Sequence, residues 1–321
     1  MAYFANRILQ AVIVMLIVTI AAFYMFQFVG DPVQSMSSEN TTVEYREQLR
    51  ERLGLNAPIP VQFVRYLGRV ARGEFGISLR NSYSVRELLA ERLPATVELV
   101  GCATAFGIIL GVPLGIYTSL HRRSVISQVI QAISLIGVSL PSFVIGILLI
   151  LVFSVWLSWL PSYGRGEVVQ IGWWSTGFLT VSGLKALILP SLTLGVFQLT
   201  LVMNLIRGEY VTILRTDYIK FARARGIPGR VIKLRYALKS ALVPVGTIVG
   251  MQVGSLVAFA VVTETVFRWP GMGTLFMQAI NFGDVPVMSA YLLLIALMFV
   301  LINFAADLSY YIIDPRLRSE G

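Results

Sequence analysis

Long apolar runs separated by polar stretches set the plan of this chain. Six segments have the twenty or so apolar residues needed to cross roughly 30 Å of hydrocarbon. They lie at 8–29, 95–119, 130–157, 184–206, 243–265 and 286–312. The third belongs to an apolar stretch from Val125 to Leu160, too long for one upright helix at about 1.5 Å per residue. Gln128, Gln131 and Pro141 predict an interfacial start and a kink within one span, in preference to two short spans. The first run, Ile8 to Phe28, is longer than the core of a cleavable signal, and no small-x-small site follows it closely. It reads as a retained signal anchor.

The polar segment 30–94 carries helical signals of its own. Thr41-x-x-Glu44 is a capping box, followed by Tyr45, Leu49 and Leu53 at four-residue spacing and by Gly54 as a stop. An apolar-faced segment, Val61 to Ala71, comes next. Ser84-x-x-Glu87 predicts the cap of a further helix, with Val85, Leu88, Leu89 and Leu93 lying along the membrane before Pro94 turns into the second span. The predicted organisation is an N-terminal span (1–29), a small extracytoplasmic helical insertion (30–94) and a core of five spans (95–321) containing a polar loop at 207–240.

Composition agrees with this plan. Hydrophobic residues make up 56% of the chain and charged ones 13%, against about 25% charged in soluble domains. The mean hydropathy of +0.75 excludes a water-soluble domain of this length. The net charge of +9 reads as membrane orientation and not as nucleic-acid binding, because the bases cluster. Loop 207–240 holds nine bases against Glu209 and Asp217, a net +7, and the 121–124 loop holds Arg122 and Arg123 with no acid. Loops 161–183 and 266–285 carry only Arg165 and Arg268 as bases. The basic loops are therefore expected in the cytoplasm, and both termini with them. Trp156, Trp159, Trp173, Trp174 and Trp269 fall where the outer interfacial belt is expected.

Familiar catalytic chemistry is missing. One cysteine (Cys102) and one histidine (His121) leave no disulfide framework, no multi-cysteine zinc site and no His-Glu-x-x-His. No Gly-x-Ser-x-Gly elbow and no phosphate-binding Gly-Lys-Ser/Thr loop occur. A membrane-embedded enzyme is thereby disfavoured. A secondary transporter is expected to carry repeat symmetry and charges near the midplane, whereas the acids here lie toward the span ends. A receptor or scaffold leaves the basic loop unexplained.

That loop is the most informative stretch. Asp217-Tyr-Ile-Lys-Phe-Ala-Arg-Ala-Arg-Gly226 predicts a helix, Gly226–Pro228–Gly229 a break, and the basic residues up to Pro244 a second helix entering the fifth span. Ala222 and Ala224 offer small side chains beside Gly226. The segment resembles the cytoplasmic loop of binding-protein-dependent ABC importer permeases, in the form Asp-Tyr-Ile-x-x-Ala-Arg-Ala-x-Gly typical of the dipeptide/oligopeptide/nickel branch. Only Ala222 and Gly226 match the general Glu-Ala-Ala-x-x-x-Gly pattern. Gly30-Asp-Pro32, Leu53 to Gln62, Gly73 to Ser78, Leu93 to Leu99, Thr263 to Gly273 and Asp314-Pro-Arg316 resemble the first permease subunit of that branch. Gly283-Asp-Val-Pro286 departs from the usual Arg-Asp-Tyr-Pro.

The resemblance implies an all-α polytopic fold of the type I ABC importer permease kind, in the bacterial inner membrane. It implies a second permease subunit, two ATPase subunits that bind ATP and Mg, and an extracytoplasmic binding protein that selects the cargo. No cofactor is expected in this chain. Di- or oligopeptides are the expected cargo, with nickel, glutathione, oligosaccharides or opines as alternatives within the class. It further implies a coupling surface at Asp217, Tyr218, Ala222, Arg223, Ala224, Arg225 and Gly226, so that Gly226→Asp is expected to uncouple transport from hydrolysis. Polar residues at membrane depth are separate candidates for the pathway or for helix packing: Asn204, Gln252, Glu264, Asn303 and Asp307, with Glu98. Asn204 and Gln252 are expected to bond across helices. Gly246, Gly250 and Gly254 predict a close-packing face, within the subunit or against a second one.

Overall fold

The computed structural model describes residues 2–28 and 56–313. The Thr41–Glu44 capping box, its helix, Gly30–Pro32 and Asp314–Arg316 lie outside the described residues. The long helices are α1 (Ala2–Phe28), α3 (Val85–Leu120), α6 (Val181–Leu214), α8 (Leu238–Val266) and α10 (Val285–Ile313). Shorter ones are α2 (Ile59–Ala71), α4 (Val125–Ser139), α5 (Ser142–Leu149), α7 (Asp217–Ala224) and α9 (Met272–Phe282). A π-helical segment, Ile150–Trp156, continues α5, and a second, Ile232–Ala237, leads into α8. The antiparallel hairpin β1 (Val169–Ile171) and β2 (Trp174–Thr176) pairs Val169 with Thr176.

The bundle is organised on the α3–α6 seam. Apolar surface gives helices no reason to associate in lipid, so association rests on close backbone approach through small residues. Gly107, Gly111 and Gly115 repeat every four residues on α3 and face α6. A Cβ at Gly107 would lie 2.6 Å from the Gln198 side chain, and one at Gly115 2.7 Å from the Met203 carbonyl. Gly195 returns the fit from α6, where a Cβ would meet Phe106 and the Ala103 carbonyl. On α8, a Cβ at Gly250 would fall on Ala306 and one at Gly254 on the Phe299 ring, so these two glycines seat α8 against α10 of the same chain. Gly246 has nothing within 4 Å of that position.

Among the described residues, five helices are long and apolar enough to cross a membrane, and the α4–α5 pair makes a sixth if counted as one span. That pair turns by 113°, far more than a kink. Leu140 is extended (φ −86°, ψ 137°) because Pro141 disfavours the helical region for the residue before it. The pair nevertheless carries the chain from one end of the bundle to the other. It starts at Ser124, just past the end of α3, and leads to Arg165, which bonds Glu98 far back along α3. From Glu98 to His121 is 23 residues, about 35 Å of helix.

The segment before the second span differs from expectation. Ser84 occupies the N-cap position, but its side chain makes no cap bond, and α3 runs unbroken through Pro94 and Pro113. The boundary expected at 94/95 thus falls inside one helix. Val85, Leu88 and Leu89 do not lie along a membrane. They are buried against Met272, Leu275 and Ala279 of α9 and Val287, Ala290 and Tyr291 of α10. An amphipathic face has the same periodicity whether it meets lipid or protein. Trp269 is a second correction: it is 1% exposed, its indole N–H donating to the Ala95 carbonyl at 2.9 Å. Trp156, Trp159 and Trp173 are exposed, as an interfacial belt requires.

The seam makes a paired prediction. Gly115→Ala should lower stability by about 1–3 kcal/mol through overpacking against backbone, whereas Gly101→Ala, in a helix and with open space around it, should leave thermal unfolding in detergent unchanged or raise it slightly. Equal unfolding temperatures for the two variants would refute the seam.

Candidate functional site

At the end of the bundle where α6 stops, α7 sits on a small apolar base. Ile219 and Ala222 are 0% and 2% exposed and pack on Ile232 of the second π segment. The opposite face is open: Asp217, Tyr218, Phe221, Arg223, Ala224, Arg225 and Gly226 are all exposed. Of the seven residues expected to form a docking surface, six face outward, and Ala222 points inward. Its small side chain lets α7 lie close to Ile232, which makes it a support and not a contact. Asp217 and Lys220 pair at 2.8 Å, but both are largely exposed, so the pair adds little. The Arg225 guanidinium lies 5.5 Å from the centre of the Phe221 ring.

Gly226 closes α7. Its φ is +76°, and its N–H bonds the Arg223 carbonyl while the Ile227 N–H bonds the Ala222 carbonyl. This is a Schellman closure, completed by the apolar contact of Ile227 with the cluster below. No atom lies within 4 Å of a Cβ built on Gly226. The glycine is therefore required here by backbone conformation and not by crowding within this chain.

One ring contact joins α7 to the π segment, and a separate hydrogen bond ties that segment to α6. Tyr218 and Tyr236 rings meet at 5.7 Å, joining α7 to the π segment that becomes α8. Tyr210 of α6, wholly buried, donates its hydroxyl to the Lys233 carbonyl at 3.0 Å. That carbonyl also accepts the Leu238 N–H in the wide π turn. The π segment is thereby held to α7 on one side and to α6 on the other, and it continues into α8. Sequence reasoning missed Tyr210, which reads as one more aromatic in an apolar run.

At the other end, the resemblance motifs prove to be contact partners. Glu264, fully buried, accepts the Thr96 hydroxyl at 2.6 Å and the Thr274 N–H at 3.0 Å. Its carboxylate thereby stands at the N-terminus of α9, where anions are favoured. A Cβ on Gly271 would sit 2.2 Å from Glu264 Oε1, so the glycine makes room for the carboxylate. Thr96 also accepts the Met272 N–H. Glu98 forms a 2.6 Å ion pair with Arg165, and both are buried. The Gly177 N–H and the Trp174 indole also point at Glu98, while Arg165 donates to the Ser175 carbonyl and hydroxyl. Asp284, in the stretch that departs from the family pattern, accepts the Ser78 hydroxyl and the Leu79 N–H, which ties 73–78 to the start of α10.

The remaining intramembrane polar residues fall elsewhere. Gln252 and Asn303 share a groove of about 430 Å³ with Arg7 and Gln10 of α1. Asn204 is exposed on α6, away from that groove. The cross-helix bonds expected of Asn204 and Gln252 are not formed among the described residues. Their side chains face outward or into the groove, not into the α3–α6 seam. Asp307 belongs to α10, but its side chain lies outside the described residues.

The buried ion pair makes a directional prediction. Glu98→Gln should cost about 3–5 kcal/mol by leaving the Arg165 charge uncompensated. The double replacement Glu98→Gln with Arg165→Met should be less damaging than Glu98→Gln alone. Thermal unfolding of both variants in detergent tests this, and a more damaging double replacement would contradict it.

Comparison with known proteins places the chain. Residues 111–319 match the family described as "Binding-protein-dependent transport system inner membrane component". Residues 1–100 match "Binding-prot-dependent transport system membrane comp, N-term". The chain is 36% identical over 331 aligned positions to the dipeptide transport system permease protein DppB of Alkalihalophilus pseudofirmus, covering 99% of each. It is 33% identical to the glutathione transport system permease protein GsiC of Pectobacterium atrosepticum, covering 98% of each. The inward-facing MetNI methionine ABC transporter shares the fold, with a TM-score of 0.56 at 20% identity over 71% of this chain and 96% of that one. The chain therefore belongs to the family of binding-protein-dependent transport system inner membrane components, as a multi-pass permease subunit of an ABC importer and not an enzyme.

Proposed function

We propose that this permease carries di- or oligopeptides inward, and that α7 is the element through which partner ATPase subunits drive it. The observation that carries the reading is the build of α7: a short helix with a buried base, an open outer face, and a ring contact to the π segment, which is itself bonded to α6 and runs into α8. A segment that only solvated a basic loop would need neither the Schellman closure nor the Tyr210 bond. The exposed docking face is Tyr218, Ala224 and Gly226 with Arg223 and Arg225 beside them, and Ala222 supports it from below.

The assembly we infer has a second permease subunit, two ATPase subunits and an extracytoplasmic binding protein, in the bacterial inner membrane. ATP and Mg bind the ATPase subunits and supply the closing force. Closure draws α7 toward its counterpart on the second permease, and the ties at Tyr236 and Tyr210 pass that motion through the π segment to α8 and α6, switching the pathway between its two faces. The excess of bases in loop 207–240 supports a cytoplasmic location for that end and for both termini. Asn204 is a polar group exposed at membrane depth, which favours a face covered by the second permease or lining the path. The cargo assignment rests on relatives named as dipeptide or di/tripeptide permeases; glutathione, named for another, is itself a tripeptide.

The test is reconstitution of the co-purified complex in liposomes, with uptake of a labelled dipeptide and ATP hydrolysis measured together. Gly226→Ala should cut uptake per ATP hydrolysed by about five- to thirty-fold, the equivalent of the 1–2 kcal/mol cost of a left-handed alanine. Gly226→Asn, which tolerates that conformation, should keep most of it. Tyr210→Phe should leave ATPase binding intact while lowering uptake per ATP. Unchanged uptake in Gly226→Ala would remove α7 from the mechanism, and dipeptide uptake absent from an active wild-type ATPase complex would remove the cargo assignment.

A further inference from the structure

The helix α2 carries three distinct strips. At about 100° per residue, Gln62, Phe63, Tyr66 and Val70 share one side, and this side packs on Ala22 and Phe23 of α1 and Leu293 of α10. Phe23 meets the Phe63 ring at 5.4 Å and the Tyr66 ring at 5.6 Å. The next strip is apolar yet open, with Val64 67% exposed, Leu67 40% and Val61 41%. Arg65, Arg69 and Arg72 then border that strip, all exposed, and α2 itself contains no acid.

Depth supplies the second observation. The apolar span of α1 covers Arg7–Met25, and α2 packs on Phe23, at its end. The open apolar strip therefore lies at the level where hydrocarbon gives way to headgroups. A helix with apolar residues bordered by arginines at that level fits the boundary between acyl chains and phosphates. The long arginine stems reach toward phosphate while Val64 and Leu67 stay in the apolar layer.

We propose that α2 is an interfacial anchor, lying on the leaflet surface with Val61, Val64 and Leu67 in the acyl boundary and Arg65, Arg69 and Arg72 on lipid phosphates. The partner is a phospholipid surface, favoured when its headgroups are anionic. The insertion is thus seated on the bilayer by α2, whereas Val85–Leu89, the face expected to lie there, is buried in protein.

The test uses the full chain with Cys102→Ala, which removes the sole thiol, and single cysteines at Val64, Leu67 or, as a control, the exposed Glu74. Each is labelled with an environment-sensitive fluorophore and placed in nanodiscs of phosphatidylcholine, with or without phosphatidylglycerol. Labels at 64 and 67 should be quenched several-fold more strongly by lipids brominated high on the acyl chain than by aqueous iodide, with the order reversed at 74. Replacing Arg65, Arg69 and Arg72 by Gln should weaken the lipid quenching most in the phosphatidylglycerol discs. Strong iodide quenching at 64 and 67 would overturn the proposal. So would protection that appears only when a substrate-binding protein is added, which would assign this face to a protein partner.

Discussion

Close approach of α3 and α6 is the constraint on which the rest of the structure depends. Three glycines on α3 bring the two backbones together, and no side chain larger than hydrogen fits at Gly107, Gly111 or Gly115 without displacing α6. Everything functional hangs from this pair. At one end, α3 supplies Ala95, Thr96 and Glu98, which hold the turn before α9 and the hairpin loop. At the other, α6 supplies Tyr210, which holds the entry to α8. A seam without polar bonds between α3 and α6 at its centre is thus flanked by buried polar bonds toward both ends.

The two ends are fastened differently. Around Glu98 and Glu264 the bonds are short and buried, and the Glu98–Arg165 pair is charge-assisted. Charge-assisted bonds are about twice as strong as neutral ones. Around α7 the ties are one hydroxyl, a tilted pair of tyrosine rings and a few aliphatic contacts. The first end is held by several buried polar bonds, and the second by one buried hydroxyl and apolar or ring contacts.

Much of the fold was legible in the sequence, because an apolar run of twenty residues has few alternatives. The helix, glycine and second helix of loop 207–240 were also legible, since turn chemistry is local. What remained hidden was whichever neighbour a face meets. Val85, Leu88 and Leu89 carry the same pattern whether lipid or α9 lies opposite. Trp269 has the composition of a belt residue and the position of a core one. Ala222 reads as an open small residue until Ile232 is placed beneath it. The 113° turn at Leu140 was signalled by Pro141 in position but not in size, since the angle depends on how α4 and α5 each pack on α6. The Gly107–Gly111–Gly115 spacing was available and went unread, whereas the similar spacing on α8 drew attention although only two of its three glycines pack.

The placement of Gly271 against Glu264 has a consequence for how such a chain can drift. With only 2.2 Å between a prospective methyl and the carboxylate oxygen, neither position is free to vary alone. An alanine at 271 is admissible only after the acid has been shortened or withdrawn, and an acid withdrawn first strands the Thr274 N–H and the Thr96 hydroxyl. Every single-step route passes through a damaged intermediate. Two residues seven apart in the chain are thereby locked sterically into one unit, in which a change at either requires a change at the other.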